Sequence, residues 1–469
     1  MLALTIEKIA EVMGGRLFSD EINARRVITR VVTDSREAVP GALFFCFRGE
    51  RTDGHDHVAD AFARGALAAV TTREIEIPTR HKVPAGAYIL VNSAQTALGK
   101  LGAYYRSRLN IPIIGVAGSV GKTTAKEMIA AVLSERFNVH KTRENLNNEL
   151  GVPLTLLGTG EEHGAAVIEM GISDFGEMTR LAEIVRPDIC VMTAIGRCHL
   201  EKLGDLDGVL RAKAEVFAKM PETGAAVLNG DDALLSAYDP GLAKPGLTKI
   251  TFGTDARCDW RAENIASDGT RSVSFDIISP SGERARAKIP AFGTHLVYSA
   301  LAAAAVGAKL GVSLDETARG LAKYRPVGGR ANVVETGKIT VIDDCYNANP
   351  NSVSAALRSL SALSTVRRAA ILGDMRELGA GAEAAHREIG KLAGELGIDC
   401  LICCGEMAEF IFKGFIASGS EAEAYFFPFR DALFEKLPAL IRDGDAVLVK
   451  ASHSEKFEQI TQRLLAPAL

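Results

Sequence analysis

Short apolar runs that end in glycine recur along the chain and alternate with stretches of helical period. Between about 111 and 315 these runs are "IPIIGVAG", "AAVIEMG", "DICVMTAIG" and "GAAVLNGDD". The alternation predicts βαβ crossovers and a parallel sheet. After "YRPVGGR" at 324–330 the pattern restarts with "ITVIDDCYNANP", a helix from about 351, "AAILGDMRELG", a second helix, "CLICCGE", and "DAVLVKAS" before a C-terminal helix. This predicts a second open parallel sheet. Before residue 100, strand-like runs at 29–33 and 43–48 flank Pro40 and Gly41, and a helix is expected over 57–65, which together read as a small α/β domain. The longest apolar helix, 296–312, is rich in alanine, carries Lys309 and is short for a bilayer span, so it is expected to be buried rather than integral to a membrane. Ligands of open α/β sheets sit beyond the carboxyl ends of the strands, so the polar clusters there are the ones to read for chemistry.

At 469 residues the chain exceeds what one core serves and favours about three domains, expected at 1–100, 101–320 and 321–469. Its 54 basic and 58 acidic side chains are mixed along the whole length and sum to −4, which leaves no electrostatic footprint for a nucleic acid polymer. The first residues, "MLALTIEKIAEVMGG", carry Glu7 and Glu11 in their apolar stretch and lack a basic leader, so secretion is not indicated. Eight cysteines scattered through apolar segments point to reduced thiols in a cytoplasmic protein. Cys400 and Cys403 have C-x-x-C spacing but no second ligand pair nearby, which argues against a metal or redox role. A monomer is the default expectation.

The stretch "IIGVAGSVGKTTAKEM" (113–128) carries chemistry. Gly118 and Gly121 allow close backbone approach to an anion, with Ser119 between them, and the helix that follows points its first N–H groups at it. Lys122 adds a mobile positive charge, Thr123 a hydroxyl for Mg²⁺, and Thr124 continues the turn. The general G-x-x-x-x-G-K-[ST] spacing would place glycine at 116, where Val116 stands, so this is a compact form of the phosphate loop. Glu169 closes the strand "AAVIEMG" where a carboxylate could hold Mg²⁺ opposite Thr123. His199 lies in the loop after "DICVMTAIG", and Lys213 lies on the helix beyond it; alone, such residues are more often structural than ligating.

The set G-S-V-G-K-T-T, "TRENLNNELGVPLTLL", "IEMG", "HLEKLGDLDGVLRAKAE", "VIDDCYNANPNSVSAAL" and "LGDMRELG" resembles the Mur ligase family over nearly the whole chain. The resemblance implies an α/β protein of three domains: a small N-terminal uridine-nucleotide-binding domain, a central P-loop ATPase domain with a parallel sheet, and a C-terminal Rossmann-like parallel-sheet domain for the incoming amine. "YNANP" and "GDMRELG" resemble the branch that adds D-alanyl-D-alanine to UDP-N-acetylmuramoyl-tripeptide through an acyl phosphate.

By the same resemblance, Lys122 is the phosphate-binding lysine, Thr123 and Glu169 hold a first Mg²⁺, and His199 with Lys213 holds a second, Lys213 as a carbamate. Arg330 and Asp344 contact the nucleotide. Ser35 and Arg36 contact the uridine nucleotide; Thr142, Asn145 and Asn148 face the muramoyl peptide; Tyr346, Asn347, Asn349 and Pro350 arrange the dipeptide. His386 and Glu377 read equally as supports of the site or as solvated helix positions.

Two departures from the family pattern stand out. Leu296 and Ser299 replace two asparagines near the end of the ATPase domain, leaving His295 as the stacking candidate for adenine. His453 replaces an arginine after Lys450, Ala451 and Ser452. Competing readings are another amide ligase of the family, adding a single amino acid, and a P-loop switch that hydrolyses a nucleotide to regulate a partner. "YNANP" argues against the first, since branches adding a diamino acid tend to show D-N-P-R there.

Overall fold

The apolar runs pair into three successive sheets in a computed structural model of the protein, which describes residues 3–50, 52–76, 79–80, 83–84, 86–364 and 367–466. The other positions of the expected first and third domains lie outside the described residues. In the first sheet, Arg16–Phe18, Ala87–Leu90, Ala68–Thr71, Ala42–Phe45 and Arg30–Val32 stand side by side, parallel except at the Arg16–Phe18 edge. The run expected at 29–33 divides into Val27–Ile28 and Arg30–Val32. The helix expected at 57–65 begins as the 3₁₀ turn Gly54–His57 and continues as Val58–Ala63.

The central sheet has nine strands. Val139–Lys141, Ala165–Glu169, Ile113–Ala117, Ile189–Met192, Ala225–Asn229, Thr248–Gly253 and Trp260–Asp268 run parallel in that spatial order. The parallel reading of 111–315 fails beyond this point, because Ser272–Ile278 and Arg284–Ile289 are antiparallel. Only a few residues separate these strands, and a parallel connection needs a crossover of a dozen or more.

Parallel strands covered on both faces must be apolar throughout, and Ile113–Ala117 shows why. Ile114 and Val116 pack with the helices Lys122–Leu133 and Leu296–Lys309, while Ile113 and Ala117 pack with Val152, Leu181 and Val209 on the other side. Each fully buried Ile or Val contributes roughly 1.5–3 kcal/mol. The helix Leu296–Lys309 is buried as expected. No helix among the described residues is long and apolar enough to cross a membrane.

The third sheet orders Asn332–Glu335, Thr340–Asp343, Asp445–Lys450, Arg367–Gly373, Cys400–Cys404 and Glu423–Phe427, parallel except for its first strand. Cys400 and Cys403 are three apart on one strand, so they face opposite layers and join different cores, a geometry in which they cannot chelate together. Burial pushes the Cys400 thiol up to about 11 and Cys403 well above the usual range. The domain limits expected at 100 and 320 fall inside helices. Ala94–Arg108 buries Leu98, Leu101 and Tyr105 with the first sheet, and Leu314–Ala322 buries Leu321 with the second.

Candidate active site

The carboxyl ends of the central and third sheets face one another across a cleft of about 750 Å³. On the central side the chain leaves Ile113–Ala117 and turns at Gly118 (φ 137°) and Gly121 (φ 81°), backbone conformations that favour glycine. A Cβ at Gly118 would run into Thr193 Oγ1, which itself donates to Val120 O at 2.5 Å and holds the loop. Ser119 Oγ donates to Gly196 O at 3.2 Å and accepts from Gly196 N at 3.0 Å. The Lys122 ammonium donates to Gly118 O at 2.9 Å, so it spans the loop where a phosphate would lie.

Glu169, at the end of the neighbouring strand, is 2% exposed. Its Oε2 accepts from Thr123 Oγ1 at 2.8 Å and its Oε1 from Asn147 Nδ2 at 2.9 Å. The Lys126 ammonium stands 3.8 Å from Oε2. A hydroxyl and a carboxylate thus converge at the phosphate loop, the hard-oxygen pair that Mg²⁺ prefers, with phosphate oxygens and water left to complete its shell. No cluster of three or more His, Cys, Asp or Glu side chains suited to a metal occurs among the described residues.

His199 adopts the left-handed region (φ 53°), and its Nδ1 sits 2.5 Å from Glu377 Oε2 of the third domain, in ion-pair contact but outside hydrogen-bonding geometry. His199 holds the Glu377 carboxyl below the usual carboxylate range. The backbones also meet here, Leu200 N donating to Glu377 O at 3.0 Å. Lys213 is 1% exposed, and its ammonium makes no hydrogen bond or ion pair among the described residues. Burial, with the like charge of Lys122, lowers its pKa to about 8.

The third-domain wall is built on Lys450, 3% exposed, whose ammonium donates to Asp344 Oδ2 at 2.6 Å and Asn347 O at 3.0 Å. Asp344 Oδ1 accepts from Ala331 N at 3.1 Å, fixing the backbone beside Arg330. The Arg330 guanidinium lies 3.9 Å from the Tyr346 ring centroid, and that ring lies 5.4 Å from His453.

Three family profiles match the chain: "Mur ligase family, catalytic domain" over 27–147, "Mur ligase middle domain" over 116–307, and "Mur ligase, glutamate ligase domain" over 329–453. The UDP-N-acetylmuramoyl-tripeptide--D-alanyl-D-alanine ligase of Bacillus subtilis (strain 168) is 34% identical over 100% of both chains. The protein of the same name from Escherichia coli (strain K12) is 33% identical over 99% of each. Among solved structures, MurF from Acinetobacter baumannii superposes with a TM-score of 0.87 at 30% identity, covering 99% of each chain. MurF ligase from Thermotoga maritima in complex with ADP superposes with a TM-score of 0.80 at 26% identity, covering 96% of this chain and 98% of that one.

The chain belongs to the Mur ligase family.

In this Mur ligase the residues singled out in the sequence line the cleft, apart from Gly118, Thr142, Lys213, Ser35, Arg36, Pro350, Glu377, His386 and His453. Thr142 is fully buried: its hydroxyl accepts from Glu169 N at 2.9 Å, so it supports the carboxylate from below and does not face the cleft. Ser35 and Arg36 sit on a 3₁₀ turn of the first domain, Arg36 exposed and bonded to Asp34. Asn148 Oδ1 accepts from Leu150 N at 3.1 Å and Gly151 N at 2.9 Å in the turn that leads into the helix Gly151–Leu157, and Asn349 forms a capping box with Ser352. Their side-chain oxygens therefore already serve local structure.

His386 is fully buried, not a solvated helix position. Its Nε2 accepts from Met375 N at 2.9 Å while Nδ1 donates to Ala382 O at 2.7 Å, and burial lowers its pKa. Leu296 and Ser299 both reach the cleft, together with Tyr298 and Phe252. The sequence reading missed Lys126 and the bond from Asn147 to Glu169. The only signal for Lys126 was its place one helical turn beyond Lys122.

The crowding at Gly118 gives a direct test. Gly118→Ala forces a Cβ against Thr193 in a left-handed turn, and is expected to weaken binding of a fluorescent ATP analogue by about 100-fold or more, the size of a lost set of phosphate contacts. Circular dichroism should remain that of the folded protein.

Proposed function

We propose that this Mur ligase joins D-alanyl-D-alanine to the terminal carboxylate of UDP-N-acetylmuramoyl-tripeptide, converting ATP to ADP and phosphate, in cytoplasmic assembly of a peptidoglycan precursor. One observation carries the reading. The phosphate loop, the Glu169 carboxylate and the third-domain wall of Arg330 and Tyr346 share a single cleft, where an acid, a phosphate donor and an amine can meet.

A carboxylate oxygen is a poor leaving group, so direct attack by an amine is slow and uphill. Phosphoryl transfer from ATP to the tripeptide carboxylate makes an acyl phosphate; the dipeptide amine then attacks the carbonyl carbon, loses a proton, and phosphate departs. The loop from Ser119 to Thr124 holds the phosphates by backbone N–H groups, and Lys122, released from Gly118 O, follows the charge as it moves. Thr123 and Glu169 are the residues that would hold Mg²⁺, with His199 and Lys213 beside a second ion. Bound Mg²⁺ supplies charge stabilisation at the transferring phosphate.

Arg330, braced on Tyr346, reaches the nucleotide from the third domain, so domain closure and phosphate binding are coupled. The contacts of Arg197 with Glu388 at 2.6 Å and of His199 with Glu377 hold the third domain against the central one and limit access of water to the acyl phosphate.

Lys213 fits a carbamate for a chemical reason. CO₂ adds to a neutral amine, whose nitrogen forms the N–C bond and loses one proton to solvent. A lysine lowered to about 8 is largely neutral above that pH and protonated below it. With ¹³C-bicarbonate, a carbamate resonance is expected to grow as pH rises through about 8 and to be missing in Lys213→Met. A resonance of equal size in the variant would remove Lys213 from this role.

The reaction itself is tested by phosphate release from ATP and Mg²⁺ with each substrate alone and with both. Release that needs both, with a pentapeptide mass in the product, is the expected result. Release indifferent to both would identify a nucleotide switch instead.

A further inference from the structure

Lys126 has no part in the reaction as described, yet it is 1% exposed and one turn beyond Lys122 on the phosphate-loop helix. Its ammonium donates to Thr142 O at 2.8 Å and lies 3.1 Å from Glu127 Oε1 and 3.8 Å from Glu169 Oε2. Glu127 in turn pairs with Lys141, the last residue of the edge strand Val139–Lys141. Burying an ammonium is costly unless partners surround it, and a methionine would fill this volume without that cost. What the charge adds is a fixed position for the groups it touches.

Those groups are the root of the loop 142–148. Thr142 bonds Lys126 through its carbonyl and accepts from Glu169 N through its hydroxyl, and at the other end of the loop Asn147 donates to Glu169 Oε1. Asn145, Asn147 and Asn148 line the cleft beside Glu169. The edge strand that leads into this loop has three residues and a single neighbour, so its ladder alone anchors the loop weakly.

We propose that Lys126 is a positioning residue for the peptide end of the acyl substrate: it ties the 142–148 loop to the phosphate-loop helix, so that the peptide wall and Glu169 keep one register. This rests on the reaction proposed above. The phosphate contacts lie at the start of the helix, and Glu169, 3.8 Å from the Lys126 ammonium, keeps its shorter bonds from Thr123 at 2.8 Å and Asn147 at 2.9 Å without it, so the effect is selective among ligands.

The test is calorimetric binding, without turnover, of three ligands to the full-length protein in Mg²⁺: UDP-N-acetylmuramoyl-tripeptide, UDP-N-acetylmuramic acid without peptide, and a non-hydrolysable ATP analogue. Lys126→Met is expected to weaken tripeptide-nucleotide binding about tenfold or more, while the other two ligands stay within about twofold, which also shows that the variant is folded. Lys126→Arg, which keeps the charge and its donors, is expected to recover part of the loss. Unchanged tripeptide binding in Lys126→Met, or an equal loss for all three ligands in both variants, would overturn the inference. Wild-type protein that binds the tripeptide nucleotide no better than the peptide-free one would overturn the proposed reaction, and the inference with it.

Discussion

A carboxylate as buried as that of Glu169 persists at the end of a central strand only when donors from other elements reach it. Two do so here, Thr123 from the phosphate-loop helix and Asn147 from the loop after the edge strand, and the Lys126 ammonium, one turn further along the helix, adds an opposite charge at 3.8 Å. Because these groups come from two separate segments, the helix Lys122–Leu133 and the loop after the edge strand, the carboxylate fixes the position of the phosphate loop relative to the 142–148 loop. The glycine turn at Gly118 is held in the same register by Thr193 from the adjacent strand. The site is therefore a consequence of strand order, with Ile113–Ala117 between Ala165–Glu169 and Ile189–Met192, and of where the order of a doubly wound sheet reverses.

The third domain repeats the same logic with a different charge arrangement. Lys450 ends its central strand and is buried beneath Asp344 and Asn347, so an ammonium organises this wall as Glu169 organises the other. Arg330 and Tyr346 then project from a braced backbone. The fully buried His386 acts on the same side. Its Nε2 accepts from Met375 N, two residues before the Glu377 that meets His199, and burial, which lowers its pKa, favours the neutral imidazole that makes this bond.

Much of this was legible in the sequence where the signal was local. Strand, glycines, lysine, hydroxyl and helix follow one another in "IIGVAGSVGKTTAKEM", and backbone geometry needs them in that order. The two sheets announced themselves by apolar runs too continuous for one-sided strands. The antiparallel pair Ser272–Ile278 and Arg284–Ile289 was not recognised, although its period-two burial and short turns rule out crossovers. Lys126 and Asn147 were missed for a different reason: their partners lie on other strands, and nothing near them in sequence distinguishes a buried ammonium from a solvated one. Asn148 and Asn349 show the converse, since an asparagine bonded into the start of a helix and a ligand-facing one look alike until that helix is placed.

The central claim is that this cleft phosphorylates a carboxylate before it forms an amide. Tripeptide nucleotide labelled with ¹⁸O in its terminal carboxylate tests this directly, because an acyl phosphate hands one carboxylate oxygen to phosphate when the amine displaces it. Turnover with ATP and D-alanyl-D-alanine should place one ¹⁸O in each inorganic phosphate released. Phosphate free of label, with amide formed at the same rate, would contradict the account.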